Sequence, residues 1–140
     1  MKEDHQAHLE MIQVVISRMA QNSFAFKGWA VTLVAGMFAL ADKEARACYF
    51  LLALLPTVIF WALDAYYLRQ EKLFRHLYDT IRRMSDDQWE RDPFTMDTKP
   101  YCDQAPSTWK ALRSATLGWL YGSLALAILL VTGVVFVVKK

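Results

Sequence analysis

Apolar residues in this chain run in long stretches separated by clusters of charge. From 114 to 138 no charged residue occurs, and Lys139 and Lys140 close the run. A membrane-crossing helix needs about 20 predominantly apolar residues, so 114–138 predicts a transmembrane helix. A second run, 47–68, is interrupted by a single acid, Asp64. Pro56 near its middle predicts a kink, because proline removes a backbone donor and membrane bundles tolerate the loss. Phe60, Trp61, Tyr66 and Tyr67 gather toward one end of this run, as an interfacial aromatic belt does. The third run, 24–41, is weaker. Only 28–41 is free of charge, so Lys27 must snorkel if the helix is to cross. The short connection 42–46 makes the first two spans an antiparallel hairpin. A two-span chain lacking 24–41 is the alternative.

Between these runs the period changes. Over 5–20, Leu9, Ile12, Val15, Ile16 and Met19 recur at helical spacing, with Gln6, Glu10, Gln13 and Ser17 opposite. This predicts an amphipathic helix. The polar joint Gln21, Asn22, Ser23 leaves open whether it continues into the first span or bends onto the membrane surface. Over 68–84, Leu68, Leu73, Phe74, Leu77, Tyr78, Ile81 and Met84 form a second stripe. Glu71/Arg75 and Asp79/Arg83 are i,i+4 pairs of the favoured polarity. No glycine or proline separates this stripe from the second span, so one helix from about 57 to 84 is expected. Ser85 and Asp86-Asp87 end it. Pro93, Pro100 and Pro106 then predict a loop over 85–109, whose Trp89, Phe94, Tyr101 and Trp109 imply packing on the helices. The two amphipathic stripes pair either with each other or with neighbouring copies. The expected fold is therefore all-α: a single membrane domain over 1–140 with three transmembrane helices (24–41, 47–68, 114–138), an N-terminal amphipathic helix and a cytoplasmic helix and loop at 69–113.

Composition supports membrane residence. The apolar fraction is 55%, above the roughly 45–50% of soluble domains. Lys and Arg (16) nearly balance Asp and Glu (14), so orientation must come from local counts near the span ends. Arg18, Lys27, Arg69, Lys72, Arg75, Arg82, Arg83, Lys110 and Arg113 put the N-terminus and 69–113 in the cytoplasm. Lys43, Arg46 and the terminal lysines fall on the outer side, together with the C-terminus. The opening Met-Lys-Glu-Asp-His is acidic and unlike a secretory signal peptide. Cys48 and Cys102 lie in different environments, and neither a disulfide nor a thiol-based metal site is expected.

The chain shows no catalytic constellation, and neither an enzyme nor a cofactor is expected. His5 and His8 stand three apart, but two nitrogens do not complete a metal site, and solvated imidazoles are the expectation. Lys27 and Asp64 carry more information. Ionisable groups at membrane depth face a bundle interior or water. They either pair, clamping the hairpin, or line an ion path or gate. Gly28, Thr32 and Gly36 in the first span, and Ser114, Gly118 and Gly122 in the third, are small residues four apart. Such ladders permit close helix approach, within a chain or between chains, with pore lining as the further possibility. Arg69, Lys72, His76 and Arg83 form a basic stripe flanked by Arg75 and Arg82. Positive residues near lipid headgroups are the ordinary reading, and an anion site is the sharper one.

The stretches Arg18-Met-Ala-Gln-Asn-Ser-Phe-Ala-Phe-Lys-Gly-Trp29 and Phe60-Trp-Ala-Leu-Asp-Ala-Tyr-Tyr-Leu-Arg-Gln-Glu71, with Leu-Phe-Arg-His-Leu-Tyr78 shortly after, resemble a family of small bacterial membrane proteins encoded in anti-phage defence operons, the Hailong membrane effectors. The resemblance implies a homo-oligomeric channel, with a tetramer as one candidate, that depolarises the inner membrane during infection. It also implies control by DNA oligomers from a partner nucleotidyltransferase. The residues alone are equally compatible with a membrane anchor that docks a cytoplasmic protein through 85–109.

Overall fold

The computed structural model describes residues 2–41 and 45–139. The centre of the expected hairpin loop, 42–44, lies outside the described residues, as does Lys140. Every regular element among the described residues is helical: α1 (Lys2–Ala39), α2 (Ala47–Leu51), α3 (Leu54–Arg83), α4 (Asp86–Trp89), a 3-10 turn (Lys99–Tyr101), α5 (Thr108–Leu112) and α6 (Ala115–Val138).

The two expected N-terminal elements are one helix. α1 passes through Gln21, Asn22 and Ser23 without a break. At 1.5 Å per residue it is about 57 Å long. Ser23 is buried inside the bundle, so the polar joint is a site of contact and not a bend. The second run carries the disturbance expected at Pro56, one turn ahead of it. Between α2 and α3, Leu52 and Ala53 keep right-handed helical dihedrals, but the bonds tighten to i,i+3, with Ala53 N–H donating to the Phe50 carbonyl and Leu55 N–H to the Leu52 carbonyl. Pro56 lacks the N–H that would reach the Leu52 carbonyl, and Leu55 takes that acceptor instead. Thr57 Oγ1 donates to the carbonyl of Ala53, the residue before α3, at 2.8 Å. From Leu54 the helix then runs unbroken to Arg83, as the absence of glycine and proline suggested.

Two stretches are long and apolar enough to cross a membrane, Ala47–Arg83 and Ala115–Val138. Only 22% and 17% of their most apolar windows are buried in the chain. The core helix of a soluble protein would be covered, so this bare apolar surface points to association with a membrane. The described fold does not demonstrate a third span.

Packing divides the molecule into two halves that share α1 and α3. At one end Ile12 and Ile16 of α1 meet Leu77 and Ile81 of α3, and Trp89 closes the cluster. The two amphipathic stripes therefore pair within one chain. At the other end α1, α3 and α6 surround Ala30, Ala65, Leu117 and Tyr121. Further along, Val34, Ala53 and Ile128 form a third cluster. Ala30 and Ala65 are fully buried, which lets α1 and α3 approach closely. Tyr49 hydroxyl donates to the Met37 carbonyl at 2.9 Å and secures the hairpin close to its connecting loop.

The 85–109 segment is less irregular than its prolines implied, since α4, the 3-10 turn and the start of α5 lie in it. Gln88 Oε1 accepts the Ser85 N–H at 3.4 Å ahead of α4, and Ser107 Oγ accepts the Lys110 N–H at 3.3 Å ahead of α5. Its aromatics divide: Trp89 is buried and Tyr101 half-buried, while Phe94 and Trp109 are exposed. Leu77 is the best test of the α1–α3 pairing. Leu77→Ala should destabilise this half of the molecule by about 2–5 kcal/mol, read from denaturation in detergent micelles.

Candidate functional site

The strongest concentration of polar chemistry lies where α1, α3 and α6 meet. Asp64 sits on the face of α3 that looks into the bundle and is 0% exposed. An isolated carboxylate is very costly in such a place, so its oxygens must be occupied. One oxygen accepts the Ser23 hydroxyl of α1. The other meets Lys27 Nζ at 2.6 Å and accepts the Tyr121 hydroxyl of α6 at 3.1 Å. Lys27 lies one turn after Ser23 and also donates to Ser23 Oγ at 2.8 Å. The four side chains form a closed network tying three helices to one carboxylate.

Aromatic rings seal it. Trp61 stacks on Tyr121 with centroids 6.0 Å apart and planes 10° apart. The Trp61 indole N–H donates to the Leu112 carbonyl at 3.0 Å, which fixes α5 against α3. Phe26 packs on Phe60 and Tyr67. Lys27 and Asp64 are thus brought together as the expected pair. Ser23 and Tyr121 are partners that sequence reasoning missed. Ser23 follows a polar joint and looks like a hinge, and Tyr121 looks like any aromatic residue of an apolar span.

The small-residue ladders behave differently. A Cβ added at Gly28, Gly36, Gly118 or Gly122 would meet nothing within 4 Å. These glycines are therefore not sites of close approach inside the chain, a role that falls to Ala30 and Ala65. Gly28 and Thr32 are exposed and Gly36 partly so. Gly118 and Gly122 line a groove of about 460 Å³ along α6, with Trp119 and Leu126 on its sides and Arg113 at its head. Ser114 is the residue before α6, but its hydroxyl makes no capping bond and is buried without a partner.

The basic stripe is partly consumed by neighbours. Arg75 makes two hydrogen bonds to Glu71 Oε1, at 2.8 and 2.7 Å. Asp79 pairs with Arg82 at 3.6 Å in place of the expected Arg83. Arg69 is half-buried, with its Nε lacking a partner. His76 and Arg83 instead line a cleft of about 700 Å³ with Asp79, Thr80, Gln88 and Arg91. Lys72 and Arg69 lie outside its lining. Arg91, from the segment after α4, joins the cleft only because the chain folds back, so no spacing along α3 could have indicated it.

The two N-terminal histidines are not solvated, contrary to expectation. His8 is fully buried. Its Nδ1 accepts the Trp89 indole N–H at 2.9 Å, and its Nε2 lies 2.9 Å from the Thr95 carbonyl. His5 Nε2 lies 2.9 Å from the Ile81 carbonyl, and its ring stacks on Trp89 at 5.6 Å. Their i,i+3 spacing directs both toward α4, and no metal-binding group of three or more is found among the described residues. Cys48 and Cys102 are free and exposed.

No family model matches the chain, and neither a curated protein nor a solved structure is similar to it. Its geometry alone makes a specific energetic prediction. Asp64→Ala should cost about 3–5 kcal/mol, because it leaves Lys27 uncompensated in the bundle. Lys27→Met with Asp64→Leu should recover part of that loss. Adding Tyr121→Phe should recover more, by removing a hydroxyl whose unpaired burial costs about 1–3 kcal/mol. Denaturation of the purified variants in detergent checks the order.

Proposed function

We propose that this chain is one subunit of a homo-oligomeric membrane channel, an effector of bacterial anti-phage defence of the kind its sequence resembles. The observation that carries the reading is that glycines on two helices, α1 and α6, face open space beside bare apolar surface. Small residues on an uncovered membrane helix are the usual means by which a second helix comes close. The polar network around Asp64 is closed within the subunit and is 0% exposed at the carboxylate, which favours a clamp over a gate. A conducting path would then run between copies, around an axis, with a tetramer as one candidate.

In this reading the part of α1 from Phe24 onward is the third span. Phe24, Trp29, Val31, Leu33 and Leu40 are exposed apolar side chains on it, which a lipid phase would cover. The distribution of Lys and Arg puts the N-terminus and the α3–α4 projection in the cytoplasm of a bacterial inner membrane and the C-terminus in the periplasm. The cleft holding His76, Arg83 and Arg91 is then cytoplasmic. Its guanidinium groups suit a phosphate-bearing ligand, such as a nucleotide or DNA oligomer from a partner nucleotidyltransferase. The second reading, an anchor that docks a cytoplasmic protein, draws on the exposed Phe94 and Trp109 of the 85–109 segment.

Ion flux from liposomes containing only the purified chain is the decisive measurement. Flux should be present and should change when single-stranded DNA oligomers are added from the cytoplasmic face. Vesicles that stay sealed with and without the oligomer would refute the channel. Gly118→Leu with Gly122→Leu should abolish both assembly and flux while leaving the subunit folded, because the added side chains enter open space. Arg83→Glu with Arg91→Glu should remove the response to the oligomer and preserve flux. Under the anchor reading, Phe94 and Trp109 substitutions would instead break a complex without altering conductance.

A further inference from the structure

We infer that His8 is a proton-sensitive latch that holds the segment 85–95 against the start of α1, and with it one wall of the cytoplasmic cleft. The inference does not depend on the channel reading. It begins with the hydrogen-bonding inventory of two rings. An indole N–H can only donate. Because Trp89 Nε1 lies 2.9 Å from His8 Nδ1, that imidazole nitrogen is an acceptor and carries no proton. The single proton of the neutral ring then sits on Nε2, where it donates to the Thr95 carbonyl at 2.9 Å. Both nitrogens are in use, and the side chain is 0% exposed.

This arrangement exists in one protonation state only. A proton added at Nδ1 would set N–H against N–H at the same 2.9 Å, inside a pocket closed to water. The Trp89 bond would be lost and a charge would be left buried, so protonation opposes the latched geometry. Histidine is the side chain whose charge changes between about pH 5 and 8. Trp89 and Phe94 press aromatic rings on His8 at 6.2 and 5.6 Å. α3 contributes the apolar Leu77 and Ile81 to the adjoining cluster. The titratable groups at the latch are His5 and Asp4 on α1 and Asp86 on α4. Asp86 lies 3.6 Å from His5 Nδ1, so its carboxylate serves His5. His5 donates from Nε2 to the Ile81 carbonyl and turns the other nitrogen to that acid. It can accept a proton without losing a bond. Of the two histidines, three residues apart, His8 is the one whose partners leave no place for a second proton.

Two further observations show what opening would do. Phe94 holds a left-handed backbone with φ 59°. That conformation is unfavourable for a bulky residue and persists only while its surroundings enforce it. Its ring contacts are to His8 and Trp89. Loss of the latch therefore removes what holds the strained turn. In addition, Gln88 and Arg91 flank Trp89 and line the 700 Å³ cleft on their side. Release of 85–95 from α1 would move these two donors away from His76 and Arg83. Acidification of the surrounding compartment would thereby dismantle the cleft.

Hydrogen–deuterium exchange of the full chain in lipid nanodiscs tests this, comparing the peptide spanning 85–96 at pH 7.5 and 5.5 after correction for intrinsic exchange. Wild type should lose protection in that peptide by up to roughly tenfold at the lower pH, the ceiling for an opening linked to protonation of one ordinary imidazole. Peptides from α6 should not change. His8→Phe should show equal protection at both pH values, and His5→Asn should keep the wild-type response. Should His8→Phe fail to fold, Trp89→Phe replaces it, since removing the opposing N–H should shrink the response. The inference is overturned by equal protection in wild type at both pH values. It is equally overturned by a full response in whichever of the two latch variants folds, or by loss of protection in α6 together with 85–96.

Discussion

A carboxylate buried among apolar helices must be surrounded by donors, and Asp64 dictates much of what surrounds it. Three groups answer it, two from α1 and one from α6. Each of those helices is thereby fixed in rotation and depth relative to α3. Apolar packing alone would not do this, because lipid tails are as apolar as leucine and helices can slide past one another at little cost. The network also explains the close seam at Ala30 and Ala65, and the stacking of Trp61 on Tyr121 that carries α5 into place. A buried ion pair contributes little net stability, but losing one partner is costly, so the network opposes shifts that would separate Asp64 from Ser23, Lys27 or Tyr121.

From this fixed crossing the two long helices extend as rods. α1 and α3 each belong to both halves of the molecule, so the position of their pairing around Leu77 and Ile81 is tied to the geometry at Asp64. At the far end a second polar element takes over, in which His8 and Trp89 join α1 to the segment following α3. One continuous pair of helices thus carries a charge clamp at one level and an imidazole latch at the other. The basic cleft lies beside the latch and depends on the same segment. In the proposed channel, this would connect events in the cytoplasmic cleft to the helices that line the subunit's open faces.

Much of the helical layout was legible along the chain. The run 114–138 and the helix ending at Arg83 were recognisable from length and from the lack of breakers, and the two amphipathic stripes from their period. The disturbance at Leu52 and Ala53, one turn ahead of Pro56, was legible from the proline. Two points were not. The polar joint at Gln21–Ser23 left a bend and a continuous helix both open, because a polar residue within a helix can be satisfied by another helix, as Ser23 is. His5 and His8 looked solvated because the residues that bury them lie about eighty positions away, at Ile81, Trp89 and Thr95.

The sequence by itself determined that the chain is helical, that two of its stretches can sit in a membrane, and that Lys27 and Asp64 were the charges needing a partner. Those properties follow from local period, length and the cost of an unpaired charge, none of which requires knowing the fold. Tertiary structure alone decided that Ser23 and Tyr121 complete the pair, that the ladder glycines face outward, that Arg91 joins the cleft, and that both ring nitrogens of His8 are engaged. Each of these depends on which residues distant in the chain meet in space, and one-dimensional spacing carries no record of that.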